Sequence, residues 1–171
     1  MGPDAGELLA TGERGEIVVR GSLVMAGYYK NPEATEAASK YGWHHTGDVG
    51  YLDEDGYLFI VDRLKDMIIT GGFNVYSAEV EQALMQHPAV RDRAVVGLPD
   101  DKWGERVTAV IESSAHVQPD ELVAFVKARI GSVKAPKQVE LWRDLPRSRD
   151  GKVLKADVRT RLLRDHGPRT P

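Results

Sequence analysis

The sequence predicts an α+β chain built in two pieces. Antiparallel strands fill the stretch up to about Val61, and a small domain with helices packed on a short sheet follows. Three observations carry this reading. Before Val61, short β-branched runs are punctuated by glycines. After Asp62, apolar residues also recur at helical spacing, as in Val80, Ala83 and Leu84 or in Leu122, Phe125, Val126 and Ile130. The chain of 171 residues is 42% hydrophobic and 29% charged, which is the composition of a folded domain and not of a disordered one.

Each element has a local reason. Gly15-Glu16-Ile17-Val18-Val19-Arg20-Gly21 is a β-branched run closed by glycines. Asn31-Pro32-Glu33 opens a short helix toward Ser39, with Asn31 as cap and Pro32 at the first helical position. Tyr51 to Val61 reads as a hairpin turning at Asp53-Glu54-Asp55-Gly56. Asp62-Arg63-Leu64-Lys65-Asp66 is a charged stretch between the apolar strands Leu58 to Val61 and Met67 to Ile69. A helix follows from Ala78 to Gln86, with Ser77 as expected N-cap and Glu79 and Glu81 at its positive end. Pro88 stops it. Strands are expected at Arg93 to Gly97 and Val107 to Glu112, then the Leu122 to Ile130 helix ending at Gly131. A short strand from Val139 to Trp142 and a last helix with the stripe Leu154, Val158 and Leu162 complete the domain. Asp165 to Pro171 has nothing apolar to bury and is expected to be a disordered tail.

Composition narrows the function classes. With 23 Lys+Arg against 26 Asp+Glu the net charge is -3, a poor match for a nucleic acid or an anionic membrane. The absence of Cys removes disulfides, thiolate metal sites and a Cys nucleophile. No apolar run approaches a membrane span and Met1 to Glu7 does not read as a signal peptide, so the expectation is a cytoplasmic protein. His44-His45 is no metal motif, because neighbours on a strand point to opposite faces, and a protein metal site is rejected.

Several polar segments could carry chemistry. Leu145 to Lys155 is a polar loop in which Gly151 permits a sharp turn and Lys152 can stand at the tip. An ammonium there could reach a phosphate or carboxylate, and the plain alternative is a solvated basic loop. It is not a Walker A loop. Asp48 in Thr46-Gly47-Asp48 is either a turn residue or a carboxylate able to accept both hydroxyls of a ribose. The Asp62 to Asp66 stretch is either a solvated loop or an interdomain hinge. Gly71-Gly72, read as standing before a helix, would allow close approach by a narrow ligand or serve only as a turn. Trp103 could stack on a base or pack at a rim.

The order of these pieces resembles the C-terminal part of the adenylate-forming superfamily: acyl-CoA synthetases, peptide-synthetase adenylation domains and firefly luciferase. The resemblance runs from about Gly15 to Leu163. It rests on Gly15-Glu16-Ile17 with Arg20-Gly21 and Gly27-Tyr28-Tyr29, on His45-Thr46-Gly47-Asp48, and on Asp62-Arg63-Leu64-Lys65-Asp66. Gly71-Gly72-Phe73-Asn74-Val75 with Glu79-Val80-Glu81 continues it, and Pro146 with Gly151-Lys152 completes it.

The resemblance implies a two-step ligase that activates a carboxylate with ATP as an acyl-adenylate and passes it to a thiol, usually CoA. A small C-terminal domain would rotate about a hinge between the steps. Residues 1–62 would be the end of the large N-terminal AMP-binding domain, strands of its β-barrel subdomain. Residues 63–164 would be the mobile domain, hinged near Lys65, with 165–171 as tail. Asp48 and Arg63 would hold the ribose or phosphate of ATP or AMP. Lys152 would be the catalytic lysine of adenylation. Gly71 and Gly72 would line the pantetheine tunnel, and Trp103 would stand near the CoA nucleotide. Mg²⁺ is implied for the parent enzyme but not for this chain.

The pattern also departs from the family. His45 stands for a usual Arg, Ser77 for a frequent Pro and Lys155 for a frequent Arg, while Val133 and Ala135 occupy a loop where some relatives carry an aromatic and an Arg for CoA. The Ser/Thr/Gly-rich phosphate loop and the Thr-Glu pair for Mg²⁺ and ATP are not in the sequence. The resemblance thus implies a C-terminal fragment of an AMP-forming carboxylate–CoA ligase of the fatty-acid or aryl-acid type, inactive alone. The alternatives are an adenylation domain that loads a carrier-protein pantetheine and a non-catalytic interaction module. The missing N-terminal domain is the expected partner, and exposed barrel strands could support a homo-oligomer.

Overall fold

A computed structural model describes residue 1 and residues 6–166. The chain divides into two compact units, Met1–Lys65 and Asp66–Pro171.

The first unit is a three-stranded antiparallel sheet, ordered β1-β2-β3, with no closed barrel among the described residues. Its strands are β1 (Gly15–Val19), β2 (His44–Leu52) and β3 (Leu58–Arg63). A short helix, α1 (Pro32–Ala37), lies between β1 and β2, and Asn31 caps it by accepting from Ala34 N at 3.0 Å. The β2–β3 turn forms because Asp53 Oδ1 accepts from both Asp55 N and Tyr57 N. Much apolar surface stays in solvent: Tyr57 and Ile60 are each 68% exposed. A 3₁₀ turn, Leu64–Asp66, ends the unit, so the charged segment is strand up to Arg63 and a tight turn after it.

The second unit contains β4 (Ile68–Thr70), β5 (Phe73–Val75), α2 (Ser77–Met85), β6 (Val90–Asp100), β7 (Gly104–Ser113), α3 (Pro119–Ile130), β8 (Gln138–Leu141) and α4 (Lys155–His166). The sheet runs β5-β4-β7-β6, and β8 pairs in parallel with β7. The β6–β7 ladder is its longest element, extending from Val90↔Ser113 to Asp100↔Gly104. Both strands exceed their sequence-expected lengths, because pairing carries the polar flanks Asp92, Asp100, Glu105 and Arg106 into the ladder.

Alternation along this ladder builds two cores. Val95, Val107, Ala109 and Ile111 point to one face, where they meet Val80 and Leu84 of α2 and Leu122 and Val126 of α3. Ala94, Val96, Leu98 and Val110 point to the other, where Val158 and Leu162 of α4 cover them. The helical stripes of the sequence therefore mark the buried faces of these helices, with one exception: Leu154, expected in the last stripe, precedes α4 and is exposed.

Three local expectations need correction. Ser77 is not an N-cap: Tyr76 takes that place, without a side-chain cap bond, and Ser77 is the buried first residue of α2. The cause is a tertiary contact, since Ser77 Oγ accepts from Lys155 Nζ at 2.7 Å. Gly71-Gly72 precedes a strand and not a helix, forming the two-residue turn of the β4–β5 hairpin. Asp165 and His166 complete α4, and the remainder of the expected tail lies outside the described residues.

Leu162 is fully buried on the α4 face. Leu162→Ala should lower the stability of the chain by about 2–5 kcal/mol. Urea unfolding checks this, and a loss under about 1 kcal/mol would mean that α4 is not what seals that face.

Candidate functional site

In the first unit the ladder itself assembles one candidate group. Asp48 on β2 stands directly across from Arg63 on β3. Arg63 Nε lies 2.7 Å from Asp48 Oδ1, with the guanidinium largely exposed and the carboxylate partly so. The segment carrying Asp48 is pinned from β1. Glu16 Oε1 accepts from Gly47 N at 3.1 Å, and Glu16 Oε2 lies 2.6 Å from His45 Nδ1. Thr46 Oγ1 donates to Ile17 O at 2.8 Å and accepts from Asp48 N at 3.1 Å. His45, one of the departures noted above, thus acts as the partner of Glu16. The result is a carboxylate with its backbone held on both sides, facing solvent beside a guanidinium. That arrangement suits vicinal hydroxyls and an anionic group together.

In the second unit Gly71 and Trp103 meet. Gly71 N donates to Trp103 O at 2.8 Å, and a Cβ on Gly71 would stand 3.2 Å from Trp103 Cε3. Gly71 and Gly72 have φ of 57° and 80°, the left-handed pair that a two-residue hairpin turn requires and that side chains resist. A Cβ on Gly72 would meet nothing within 4 Å, so this turn is open on its outer side. Lys102 Nζ and Lys137 Nζ lie 4.8 and 5.8 Å from the Trp103 ring centroid. Burial, and after it the charge of Lys127, lowers the pKa of Lys137. A half-exposed indole flanked by ammonium groups offers a flat face and positive charge to an aromatic anion.

Lys152 stands on a separate loop between β8 and α4. Gly151, at φ 84°, lets the chain reverse there. Ser148 closes the loop: its Oγ accepts from Lys152 N at 3.1 Å, and Ser148 N donates to Lys152 O at 2.8 Å. Arg147 pairs with Val153 in an isolated β-bridge at the base of the loop. Lys65 is exposed in the 3₁₀ turn that ends the first unit.

Below the Lys152 loop lies an ionic cluster to which the sequence reading assigned no role. Arg147 Nη2 lies 2.7 Å from Asp92 Oδ2 and 3.2 Å from Glu112 Oε1. Arg91 Nη2 reaches Glu112 Oε2 at 2.8 Å. Glu112 is only 3% exposed. Burial by itself would raise both carboxyl groups. The Leu145 amide, Arg91 and Arg147 outweigh it at Glu112, and Arg147 with Arg93 outweighs it at Asp92, so both pKa values fall below the ordinary 4.5 and 3.8. One sequence signal did point to Glu112: it shares the strand parity of Thr108 and Val110, so the period-two pattern puts its carboxylate on a covered face. Among the described residues no group of three or more His, Asp or Glu could hold a metal ion, and no helix is long and apolar enough to cross a membrane.

Comparison with known proteins interprets this geometry. The AMP-binding enzyme C-terminal domain family matches residues 79–152. The chain belongs to the adenylate-forming superfamily. It is 49% identical to a feruloyl-CoA synthase of an Amycolatopsis species over 92% of its own length and 33% of the relative. It is 45% identical to a long-chain-fatty-acid–CoA ligase of Bacillus subtilis, over 95% of this chain and 29% of that one. Among solved structures it superposes on ATP-bound MatB from Rhodopseudomonas palustris with TM-score 0.87 and 38% identity, covering 94% of this chain and 33% of the other. The chain therefore spans about a third of the length of the relatives it matches. Ser77 and Lys155 meet each other: Lys155 Nζ donates to Ser77 Oγ at 2.7 Å and also lies 2.8 Å from Glu81 Oε1.

The lowered carboxyl groups set an acid limb of stability. Their contribution is fully present above the unfolded values near pH 4.5 and 3.8 and is lost as the pH falls through the still lower folded values. The thermal midpoint of the chain should therefore drop steeply below about pH 4.5, and Glu112→Gln should flatten that limb. Equal slopes in the two proteins would remove Glu112 as a source.

Proposed function

We propose that this chain is the C-terminal part of an AMP-forming carboxylate–CoA ligase that activates fatty or aryl acids. Residues 1–62 close the β-barrel subdomain of its large domain, and residues 63–164 form the mobile domain, hinged near Lys65. The chain alone is inactive, because the phosphate loop and the acyl pocket belong to the part of the enzyme that precedes it.

The observation that carries this reading is the placement of two candidate groups on one ladder. Gly71 and Trp103 lie at the Asp100↔Gly104 end of β6–β7. The Lys152 loop is tied to Glu112, at the opposite end. At about 3.4 Å per residue, the eight steps from Gly104 to Glu112 separate them by roughly 27 Å. One rigid domain thus offers two chemically different ends, which suits a reaction in two steps with a rotation between them. The similarity to a feruloyl-CoA synthase and a fatty-acid–CoA ligase supports the substrate class.

The residues fit the substrates by their chemistry. Asp48 holds the ribose hydroxyls of ATP or AMP through the carboxylate oxygen that Arg63 leaves open, and Arg63 assists at the ribose or phosphate. Lys152 bridges the acid and the α-phosphate and stabilises negative charge as pyrophosphate leaves. ATP supplies the activated phosphorus. Gly71 and Gly72 leave room for the pantetheine arm of CoA, and Trp103 packs near its nucleotide. Mg²⁺ would be held elsewhere in the parent enzyme.

Lys152→Ala in the complete enzyme should reduce acyl-adenylate formation by about a hundredfold or more, measured as acid-dependent ATP–pyrophosphate exchange. An unimpaired exchange rate would refute the assignment. Lys65→Pro should stiffen the hinge and damage one half-reaction more than the other. Equal losses in adenylate and thioester formation would count against a hinge at that position.

A further inference from the structure

The Lys152 loop is tied to a buried carboxylate at its entry amide and, nearer its tip, through a guanidinium. Glu112 sits at the end of β7 with Asp92 as its cross-strand partner on β6. Its Oε1 accepts from Leu145 N, where the chain enters the loop, and from Arg147 Nη2. Arg147 Nη2 also reaches Asp92 Oδ2 at 2.7 Å. Its other arm, Nη1, donates to Gly151 O at 3.2 Å, the carbonyl joined directly to the nitrogen of Lys152. On the far side of the loop Leu154 N donates to Pro146 O at 2.9 Å. One planar fork thus connects two strands of the sheet to the peptide bond of the lysine.

We propose that Arg147, anchored by Glu112 and Asp92, is a positioning residue that fixes the direction in which Lys152 is presented. The inference rests on the adenylation role assigned to Lys152. The chemistry of the cluster favours it over a purely stabilising contact. Glu112 ends the strand face that Val110 and Leu145 keep dry, where an apolar residue would serve stability as well as an ion pair does. What an apolar residue cannot supply is direction. A guanidinium has several N–H donors in a rigid plane, and here they serve two carboxylates and a carbonyl at once. A lysine at position 147 would keep the charge and lose the fork.

The decisive comparison uses Arg147→Lys, Lys152→Ala and the double variant in the complete enzyme, with the half-reactions measured separately. Arg147→Lys should slow acid-dependent ATP–pyrophosphate exchange by about tenfold or more through kcat, as expected when a reacting group is misplaced. The KM for ATP should stay within about twofold, and thioester formation from supplied acyl-adenylate and CoA should be unchanged. The double variant should be no slower than Lys152→Ala alone. A matched loss in both half-reactions, or normal exchange in Arg147→Lys beside a disabled Lys152→Ala, overturns the inference. Hydrogen exchange on the 171-residue chain tests the ordering without any turnover. Arg147→Lys should lose protection at the amides of Gly151 and Lys152 while Val110 and Val158 keep theirs, and unchanged protection at the loop also overturns it. If Lys152→Ala adenylates normally, the functional reading fails, and the exchange result still decides whether Arg147 orders the loop.

Discussion

The antiparallel pairing of β6 and β7 is the constraint on which the second unit depends. The pairing runs from Val90↔Ser113 to Asp100↔Gly104, and its two-residue period sorts every side chain to one of two faces. One face takes α2 and α3, the other takes α4. A slip of one residue would turn Val95, Val107 and Ile111 from the first core toward the second and break both. The ladder also sets where chemistry can stand, because its hairpin end meets the Gly71 turn and its open end meets the Lys152 loop.

The first unit obeys a similar logic on a smaller scale. Asp48 and Arg63 are fifteen residues apart in the chain but become neighbours through the β2–β3 register. Glu16, from a third strand, then fixes the backbone that bears Asp48. In both units a carboxylate reached from an adjacent strand holds a glycine-containing segment next to the proposed functional group. Glu16 accepts from the amide of Gly47, and Glu112, through Arg147, holds the carbonyl of Gly151. The geometry of each group is thus stored in the sheet and passed to the loop through hydrogen bonds to the main chain.

Much of this was legible in the residues themselves. The stripes Val80-Ala83-Leu84 and Leu122-Val126, the Asn31-Pro32 helix start and the Asp53 to Gly56 turn are local signals. Each was readable because the physical cause lies within a few residues of the effect. The misreadings share the opposite property. Ser77 has the chemistry of a cap, but a lysine from the last helix claims its hydroxyl. Gly71-Gly72 looked like the lead into a helix because the strand after it, Phe73–Val75, is only three residues long and exists by pairing with β4.

By itself the sequence determined most of the element types and the residues that carry the superfamily resemblance: Asp48, Arg63, Gly71, Gly72, Trp103 and Lys152. These depend on local periodicity, turn chemistry and motif order, all of which survive in one dimension. Only the tertiary structure decided which of them stand together. It joined Asp48 to Arg63 and Gly71 to Trp103, set Lys152 apart at the other end of the ladder, and tied its loop to Glu112 through Arg147. The reason is that strand register and side-chain forks act between residues far apart in the chain, 15 positions for Asp48 and Arg63 and 35 for Arg147 and Glu112, and no local pattern encodes such a contact.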